Sequence, residues 1–378
     1  MSITNYLTFA GGLGLLLYGI KLMGEGLELA AGSRLKHLLE KMTKNRFLAV
    51  LVGFLITTLI QSSSATTVMV VGFVNTGLMN LTQAIGVIMG ANIGTTTTSV
   101  LVSLNLTGIA PIAIFIGAFM ILFAKKNSLK YVGQALAGFG MLFMGMELMQ
   151  NAMDPLKDSE VFRNWIINAD NPFVGILIGA GVTGVIQSSA ASVGILQALA
   201  SQGLVPLSFA VYIIFGQNIG TCVTALLSTI GTKTNSKRTA VMHILFNVIG
   251  TVVFVVISTF LPFTKWIQAM SDNVMMQISL VHIIFNVVST IIMFPFAGAL
   301  VKLSCILVPD KKGKEDDGMH LQFIDERMLN TPPLAVVQVG KEVLRMAALA
   351  RRNFDIASSD LINTVSYTHL RAHETLSD

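Results

Sequence analysis

One spacing recurs along the first two thirds of this sequence and limits its fold more than any other feature. Gln61-Ser62-Ser63-Ser64 returns as Gln187-Ser188-Ser189 after 126 residues. Gly90-Ala91-Asn92-Ile93-Gly94-Thr95 returns as Gly216-Gln217-Asn218-Ile219-Gly220-Thr221 at the same spacing. A constant offset over this length indicates two copies of one structural unit without net insertion.

The composition is that of a membrane protein. Of the 378 residues, 53% are hydrophobic and 12% are charged, whereas soluble domains contain about 25% charged residues. Long apolar runs recur from residue 4 to residue 308. We therefore predict an all-α polytopic protein in a lipid bilayer. The net charge of +5 does not indicate a nucleic-acid partner, because the Lys and Arg residues lie mostly in short loops between apolar runs.

Each copy is predicted to contain a first helix, two short apolar legs around the Gln-Ser-Ser motif, a longer helix and a final helix. A leg of 14 residues is about 21 Å long, against a hydrocarbon core of about 30 Å. Each pair of legs therefore reads as a re-entrant hairpin with the motif at its tip; one long tilted helix is the alternative. The predicted ranges are 5–24, 47–60, 65–78, 82–104 and 108–124, then 132–152, 173–186, 191–204, 207–229 and 239–260, and an extra helix at 277–301.

Loop charge predicts the orientation. Three crossings per copy place the two repeats, about 5–125 and 131–260, in opposite directions within a transmembrane domain at 1–309. With the N-terminus outside, the predicted inside loops hold eleven Lys and Arg residues and the outside loops only three. The C-terminus is then cytoplasmic, and the architecture suggests a bacterial inner membrane. No cleavable signal peptide is expected.

The sequence after residue 309 changes character. Residues 310–318 read as a charged linker, and 319–364 read as the opening of a helical cytosolic domain that the chain does not finish. Residues 365–378 look like the translation of a sequencing adapter and are expected to be a read-through artefact.

The two Gln-Ser-Ser motifs carry the binding hypothesis. Buried hydroxyl and amide groups are costly in a membrane unless they bond to their own helix, join helices or bind a ligand. A hairpin tip exposes the N–H groups of its second leg, which suit an anion, while hydroxyl and carbonyl oxygens suit sodium. The candidate residues for substrate and sodium are Gln61, Ser62, Ser63, Ser64, Thr66, Asn92, Thr95, Gln187, Ser188, Ser189, Ser192, Asn218 and Thr221.

Two further patterns remain open. The Gly-x-Asn-Ile-Gly segments predict a helix break around a cavity, although glycines in membrane helices also serve close packing. His243 and Asn247, and likewise His282 and Asn286, share a helix face; helix packing is favoured over a proton or ligand role. No enzymatic constellation, cofactor motif or nucleotide-binding loop is present in the sequence, so an enzyme is not expected.

These paired motifs resemble the type II sodium–phosphate cotransporter family in its bacterial branch, over about residues 5–305. The resemblance implies sodium-driven import of inorganic phosphate by alternating access, with phosphate and sodium held between the two Gln-Ser-Ser tips. Ala190 stands where the first copy has Ser64, so one hydroxyl is missing. Residues 323–346 are similar to the junction into that branch's PhoU-like cytosolic domain, here truncated.

Two other functions are compatible with the sequence. One is a membrane phosphate sensor that signals through the PhoU-like tail, and the other is a symporter for a different oxyanion. A homo-oligomer is compatible with the sequence, which does not determine the oligomeric state.

Overall fold

The computed structural model describes residues 2–31, 45–156, 171–310, 321, 323–324 and 332–377. They form two compact units, 1–312 and 313–378, and the described residues contain helices and no strands. The predicted all-α class is therefore confirmed. The predicted charged linker lies outside the described residues except for Asp310, and the segment 319–331 lies outside them except for 321, 323 and 324.

The first unit contains fourteen described α-helices and two short 3-10 turns, at Thr107–Ile109 and Asp154–Leu156. The helices are α1 Ile3–Ala31, α2 Arg46–Ile60, α3 Ser63–Asn75, α4 Leu81–Ser103, α5 Ala110–Phe123, α6 Asn127–Met153, α7 Pro172–Ile186, α8 Ser189–Ser201, α9 Leu207–Gly220, α10 Cys222–Ser228, α11 Thr234–Phe260, α12 Phe263–Met270, α13 Val274–Met293 and α14 Ala297–Leu307.

The repeat is visible in the helix boundaries. Helices α2 and α7 begin and end exactly 126 residues apart, and so do α3 and α8. Asn45 and Asn171 cap α2 and α7 in the same way, each accepting a hydrogen bond from the amide two residues later. Gly77 and Gly203 follow α3 and α8 with φ of 70° and 71°, a backbone conformation that glycine adopts without steric cost.

The first helices of the two copies pack directly against each other. A Cβ added to Gly12 would lie 2.7 Å from the carbonyl oxygen of Gly145, and one added to Gly138 would lie 2.6 Å from that of Gly19. Gly26 approaches Tyr131 in the same register. Because the contact moves toward lower numbers on α6 as it moves toward higher numbers on α1, the two equivalent helices run antiparallel.

The predicted break at the Gly-x-Asn-Ile-Gly motif is wrong in the first copy, because α4 runs without interruption through it. In the second copy the interruption is reduced to Thr221, whose φ of −61° and ψ of −22° stay right-handed helical. The glycines serve packing instead. A Cβ on Gly90 would lie 1.9 Å from the oxygen of Val50 on α2, and one on Gly216 would lie 2.0 Å from that of Ile176 on α7.

The predicted extra helix at 277–301 is also divided. It forms α13 and α14, which are separated at Phe294–Phe296. Pro295 lies in this interval, and its missing N–H and its ring disfavour a continuous helix. The short helix α12 was not predicted. Its Phe263 and Ile267 are buried against Phe254 and Phe285, so it closes one end of the α11–α13 pair.

Six helical segments within the described residues are long and apolar enough to cross a membrane. Seven crossings were predicted, and the seventh, Thr107–Phe123, falls among the shorter apolar helices. The six segments are Ile3–Ala31, Leu81–Ser103, Asn127–Leu156, Leu207–Ser228, Thr234–Phe260 and Val274–Met293. The chain is thus a multi-pass membrane protein.

In the second unit the structure describes one long helix and, before it, residues 321, 323 and 324. Helix α15, Pro332–Ser377, begins at the predicted Pro332-Pro333 pair, where proline suits the first helical turn. The Glu342 carboxylate accepts hydrogen bonds from the Phe323 amide at 2.8 Å and from Arg345 Nε at 2.7 Å. That this unit begins a PhoU-like domain stays a prediction. The interpretation of residues 365–378 as an artefact also stays a prediction.

Candidate functional site

Both Gln-Ser-Ser motifs form the turn between two short helices, so one long tilted helix is excluded at each. Gln61 ends α2 with φ of 58° and ψ of 24°, and Gln187 ends α7 with φ of 57° and ψ of 21°. These left-handed conformations are costly for residues other than glycine. Ser62 and Ser188 then cap α3 and α8, accepting hydrogen bonds from the amides of Ala65 and Ala191. We call residues 61–64 tip 1 and residues 187–190 tip 2.

A hydrogen bond between two hydroxyls joins the two helices that flank each turn. Thr57 Oγ1 donates to Thr66 Oγ1 at 2.9 Å, and Thr183 Oγ1 donates to Ser192 Oγ at 2.7 Å. Thr183 and Ser192 are at most 1% exposed. The predicted residues Thr66 and Ser192 therefore lie behind the tips and join the two legs.

The two tips meet, although they are far apart in sequence. Ser64 Oγ of tip 1 donates to the backbone carbonyl of Gln187 in tip 2 at 3.4 Å. Thr224 of α10 contacts the same Ser64 hydroxyl at 3.3 Å. Thr98 of α4 donates to Gln61 Oε1 at 2.7 Å. One small region thus contains both predicted motifs and one threonine each from α4 and α10.

The groups that form the hydrogen bonds between the two tips, α4 and α10 are all uncharged. The hydroxyls of Ser63 and Ser189 form no hydrogen bond with the part of the chain that the structure describes. The same holds for the first two backbone amides of α3 and of α8, at 63–64 and 189–190. The sequence has no Asp, Glu, Lys, Arg or His at 47–124 or 171–232. An anion here would be held by neutral N–H and O–H groups and by the positive ends of two helix dipoles.

The four remaining predicted residues are buried on α4 and around the α9–α10 junction. Asn92 and Asn218 donate to the carbonyls of Ile88 and Ile214 at 3.0 Å and 2.9 Å. Thr95 and Thr221 likewise donate to carbonyls of their own helical segment, those of Ala91 and Asn218. No hydrogen bond joins these four side chains to the tips among the described residues; Thr98 and Thr224 make that connection instead.

Sequence reasoning missed these two threonines and two buried glutamines. Thr98 and Thr224 keep the 126-residue offset, which could have revealed them. Gln197 is fully buried, and its Nε2 donates to Ser99 O, Met275 O and Ser279 Oγ at 2.9–3.0 Å. In the sequence, Gln197 could have been recognised as a single amide side chain within an apolar helix. Gln217 Nε2 donates to Ser192 O at 3.0 Å, which ties α9 to the helix behind tip 2.

The two His-x-x-x-Asn pairs are buried side chains of α11 and α13. Asn247 and Asn286 are fully buried, and each donates to the carbonyl of the histidine one turn earlier, at 3.1 Å and 2.8 Å. Asn247 Nδ2 also lies 3.3 Å from Cys222 Sγ. Of these contacts, only that between Asn247 and Cys222 joins two helices, so the choice between helix packing and a proton or ligand role stays open for both pairs. No group of His, Cys, Asp and Glu with metal-binding geometry occurs within the residues that the structure describes.

A helical multi-pass protein whose uncharged polar tips meet among its helices has the architecture of a membrane transport protein. The chain belongs to the Na+/Pi-cotransporter family, whose model matches residues 15–151 and 157–298. The family assignment from the sequence motifs is thereby confirmed. Because the family is one of transporters, an enzymatic role is not supported.

Individual relatives agree with this assignment. YqeW, an uncharacterized protein of Bacillus subtilis, is 28% identical over 300 residues, covering 78% of this chain and 95% of YqeW. The proposed inorganic phosphate export protein YjbB of Salmonella typhimurium is 27% identical over 337 residues, and the match covers 88% of this chain but only 61% of YjbB. Sodium-dependent phosphate transport protein 2A of Ovis aries is 45% identical over 64 residues, 17% of this chain and 10% of that protein. No solved structure matches the chain.

Proposed function

We propose that the protein is a sodium-coupled symporter that imports inorganic phosphate by alternating access, with phosphate and sodium held between tip 1 and tip 2. The observation that carries this proposal is the contact between the tips, in which Ser64 Oγ meets the Gln187 carbonyl at 3.4 Å. It brings two copies of the same polar motif together inside an apolar, uncharged part of the chain.

The ligand chemistry follows from the groups present. Phosphate needs several hydrogen-bond donors, which the free amides of α3 and α8 and the Gln187 side chain supply. Sodium prefers hard oxygen ligands, and the Ser63 and Ser189 hydroxyls and the exposed backbone carbonyls at the tips supply them. Sodium held beside the anion would neutralise part of its charge where no lysine or arginine does.

Two inverted repeats with re-entrant hairpins are part of the proposal. The antiparallel packing of the equivalent helices α1 and α6 supports opposite orientations. Helix α2 has 15 residues, about 22 Å, too short to cross a core of about 30 Å. It ends beside Thr98, within α4 rather than at its end, as expected for a hairpin that enters the membrane and returns.

Contacts between the ends of helices support the proposed topology. The Lys233 amide donates to Asn75 Oδ1 at 3.0 Å, and both residues are assigned to the cytoplasmic side. Gln150 Nε2 donates to Ser201 Oγ at 2.9 Å, and both are assigned to the outer side. With the N-terminus outside and the C-terminus cytoplasmic, the bacterial inner membrane is the proposed location.

A second candidate function differs in the direction in which phosphate is transported. The name of YjbB describes phosphate export, and this chain matches it over 88% of its own length. Symport with an inward sodium gradient drives phosphate inward, so export requires a different driving force. The same vesicle experiment separates the two functions.

The test is phosphate uptake into proteoliposomes with an inward sodium gradient or a matched potassium gradient. Sodium-dependent accumulation is expected. Gln187→Ala should reduce it about tenfold or more, because a hydrogen bond to a charged group is lost. Gln61→Ala should also reduce it, because tip 1 loses its hydrogen bonds to Thr98 and Thr58. Gln268→Ala, at an exposed glutamine of α12, is the matched control and should transport normally.

Two results would contradict the proposal. Normal uptake by both tip variants would remove the tips from the site. Equal uptake with sodium and potassium would remove the sodium coupling, and outward phosphate flux alone would favour export.

A further inference from the structure

The two tips differ in how they are held, despite the repeat. The Gln61 side chain is bound at both ends, since its Oε1 accepts from Thr98 at 2.7 Å and its Nε2 donates to Thr58 O at 2.5 Å. The Gln187 side chain is exposed and forms no hydrogen bond with the described residues. The glutamine of tip 1 is therefore anchored, whereas the glutamine of tip 2 is not.

The equivalent threonines Thr98 and Thr224 have correspondingly different partners. Thr98 contacts the tip of its own copy, whereas Thr224 crosses to Ser64 in the other copy. A crossed contact for Thr98 would need a hydroxyl on tip 2 at the position equivalent to Ser64. That position is Ala190, so the symmetric contact cannot form.

We propose that Thr224 and Ser64 form a one-sided relay that positions tip 2 against tip 1, and that tip 2 is the tip that moves away when the site opens. Ser64 suits this role because one hydroxyl can donate to the Gln187 carbonyl and accept from Thr224 at the same time. The Gln187 carbonyl is available to it because the left-handed conformation of Gln187 ends α7 there.

The geometry of the relay fits a contact that breaks in each transport cycle. Its two links measure 3.4 Å and 3.3 Å, longer than the usual distance of about 2.7–2.8 Å for a hydrogen bond that a hydroxyl donates to an oxygen. The Thr224 hydroxyl is also shared with the Thr221 carbonyl at 2.9 Å, so Thr224 keeps a partner when the relay opens. The Ser64 hydroxyl and the Gln187 carbonyl have no other hydrogen-bond partner among the described residues.

Hydrogen–deuterium exchange of the purified full chain, without phosphate, tests the relay itself. Thr224→Val should raise the exchange rate of amides in tips 1 and 2 about threefold or more, while Thr224→Ser, which keeps the hydroxyl, should match the unaltered protein. Ala190→Ser supplies the missing hydroxyl and should lower exchange at tip 2. Ala65→Ser, which adds a hydroxyl beside the relay position of tip 1, is the matched control.

The consequence for transport rests on the proposed function. Ala190→Ser should lower the maximal rate of phosphate uptake about threefold with KM unchanged or lower, because a second relay must then break. Thr224→Val should raise KM, and Thr224→Ser should restore it. Unchanged exchange in both Thr224→Val and Ala190→Ser would overturn the relay even if uptake is normal. The expected exchange pattern without sodium-dependent uptake would instead uphold the relay and reject the proposed function.

Discussion

At the scale of single residues, the tips hold two glutamines in a conformation that glycine would adopt more easily. Gln61 and Gln187 have positive φ, which costs a residue with a side chain about 1–2 kcal/mol. Strain of this kind persists where the side chain has a function that glycine cannot supply. At Gln61 part of that function is visible in its two hydrogen bonds, whereas at Gln187 the amide is exposed.

Replacing each glutamine by glycine should therefore change stability in opposite directions. Gln187→Gly should raise the stability of the purified protein by about 1 kcal/mol, because strain is relieved and no side-chain contact is lost. Gln61→Gly should lower it by about 1 kcal/mol, because two hydrogen bonds outweigh the relieved strain. Thermal unfolding in detergent measures both, and equal shifts of one sign would contradict the explanation. Phosphate uptake should fall in both variants.

At the scale of helices, the repeat predicted most of the secondary structure. The predicted legs at 47–60 and 173–186 became α2 and α7 with one added residue each, because apolar runs bounded by asparagine caps define helix starts well. The Gly-x-Asn-Ile-Gly motif was misread because two glycines in an apolar helix permit both close packing and a break. Only the structure, in which α2 packs against Gly90, distinguishes close packing from a helix break. The contacts of Thr98 and Thr224 were also inaccessible, since a helical threonine can bond to its own backbone equally well.

The packing function of these glycines gives a direct prediction. Gly90→Ala would place a Cβ 1.9 Å from the Val50 carbonyl, so α4 and α2 must separate at a cost of about 1–3 kcal/mol or more. The melting temperature and folded yield should fall. Gly14→Ala is the matched control, because an exposed glycine of α1 with nothing within 4 Å of its added Cβ should tolerate alanine or gain up to about 1 kcal/mol. A Gly90→Ala variant as stable as the unaltered protein would contradict close packing there.

At the scale of the whole molecule, the pairing of α1 with α6 relates the two copies to each other. The contacts of Gly12 with Gly145 and of Gly19 with Gly138 exchange when each residue is replaced by its equivalent in the other copy. A pair of antiparallel equivalent helices is expected when two copies face opposite sides of the membrane. In the proposed inverted arrangement, the two tips would approach each other from opposite sides, and one opening of the relay would expose the site to one side only.

Opposite orientation can be measured with equivalent residues. Thr82 and Ser208 lie 126 residues apart at the starts of α4 and α9. In a Cys305→Ala background, in which Cys222 stays buried, Ser208→Cys should react with a membrane-impermeant maleimide in intact cells. Thr82→Cys should react only after permeabilisation, as should a control cysteine at Lys126, which is assigned to the cytoplasmic side. Labelling of Thr82→Cys and Ser208→Cys from the same side of the membrane would rule out inverted repeats. The two tips could then not enclose one site from opposite faces of the membrane.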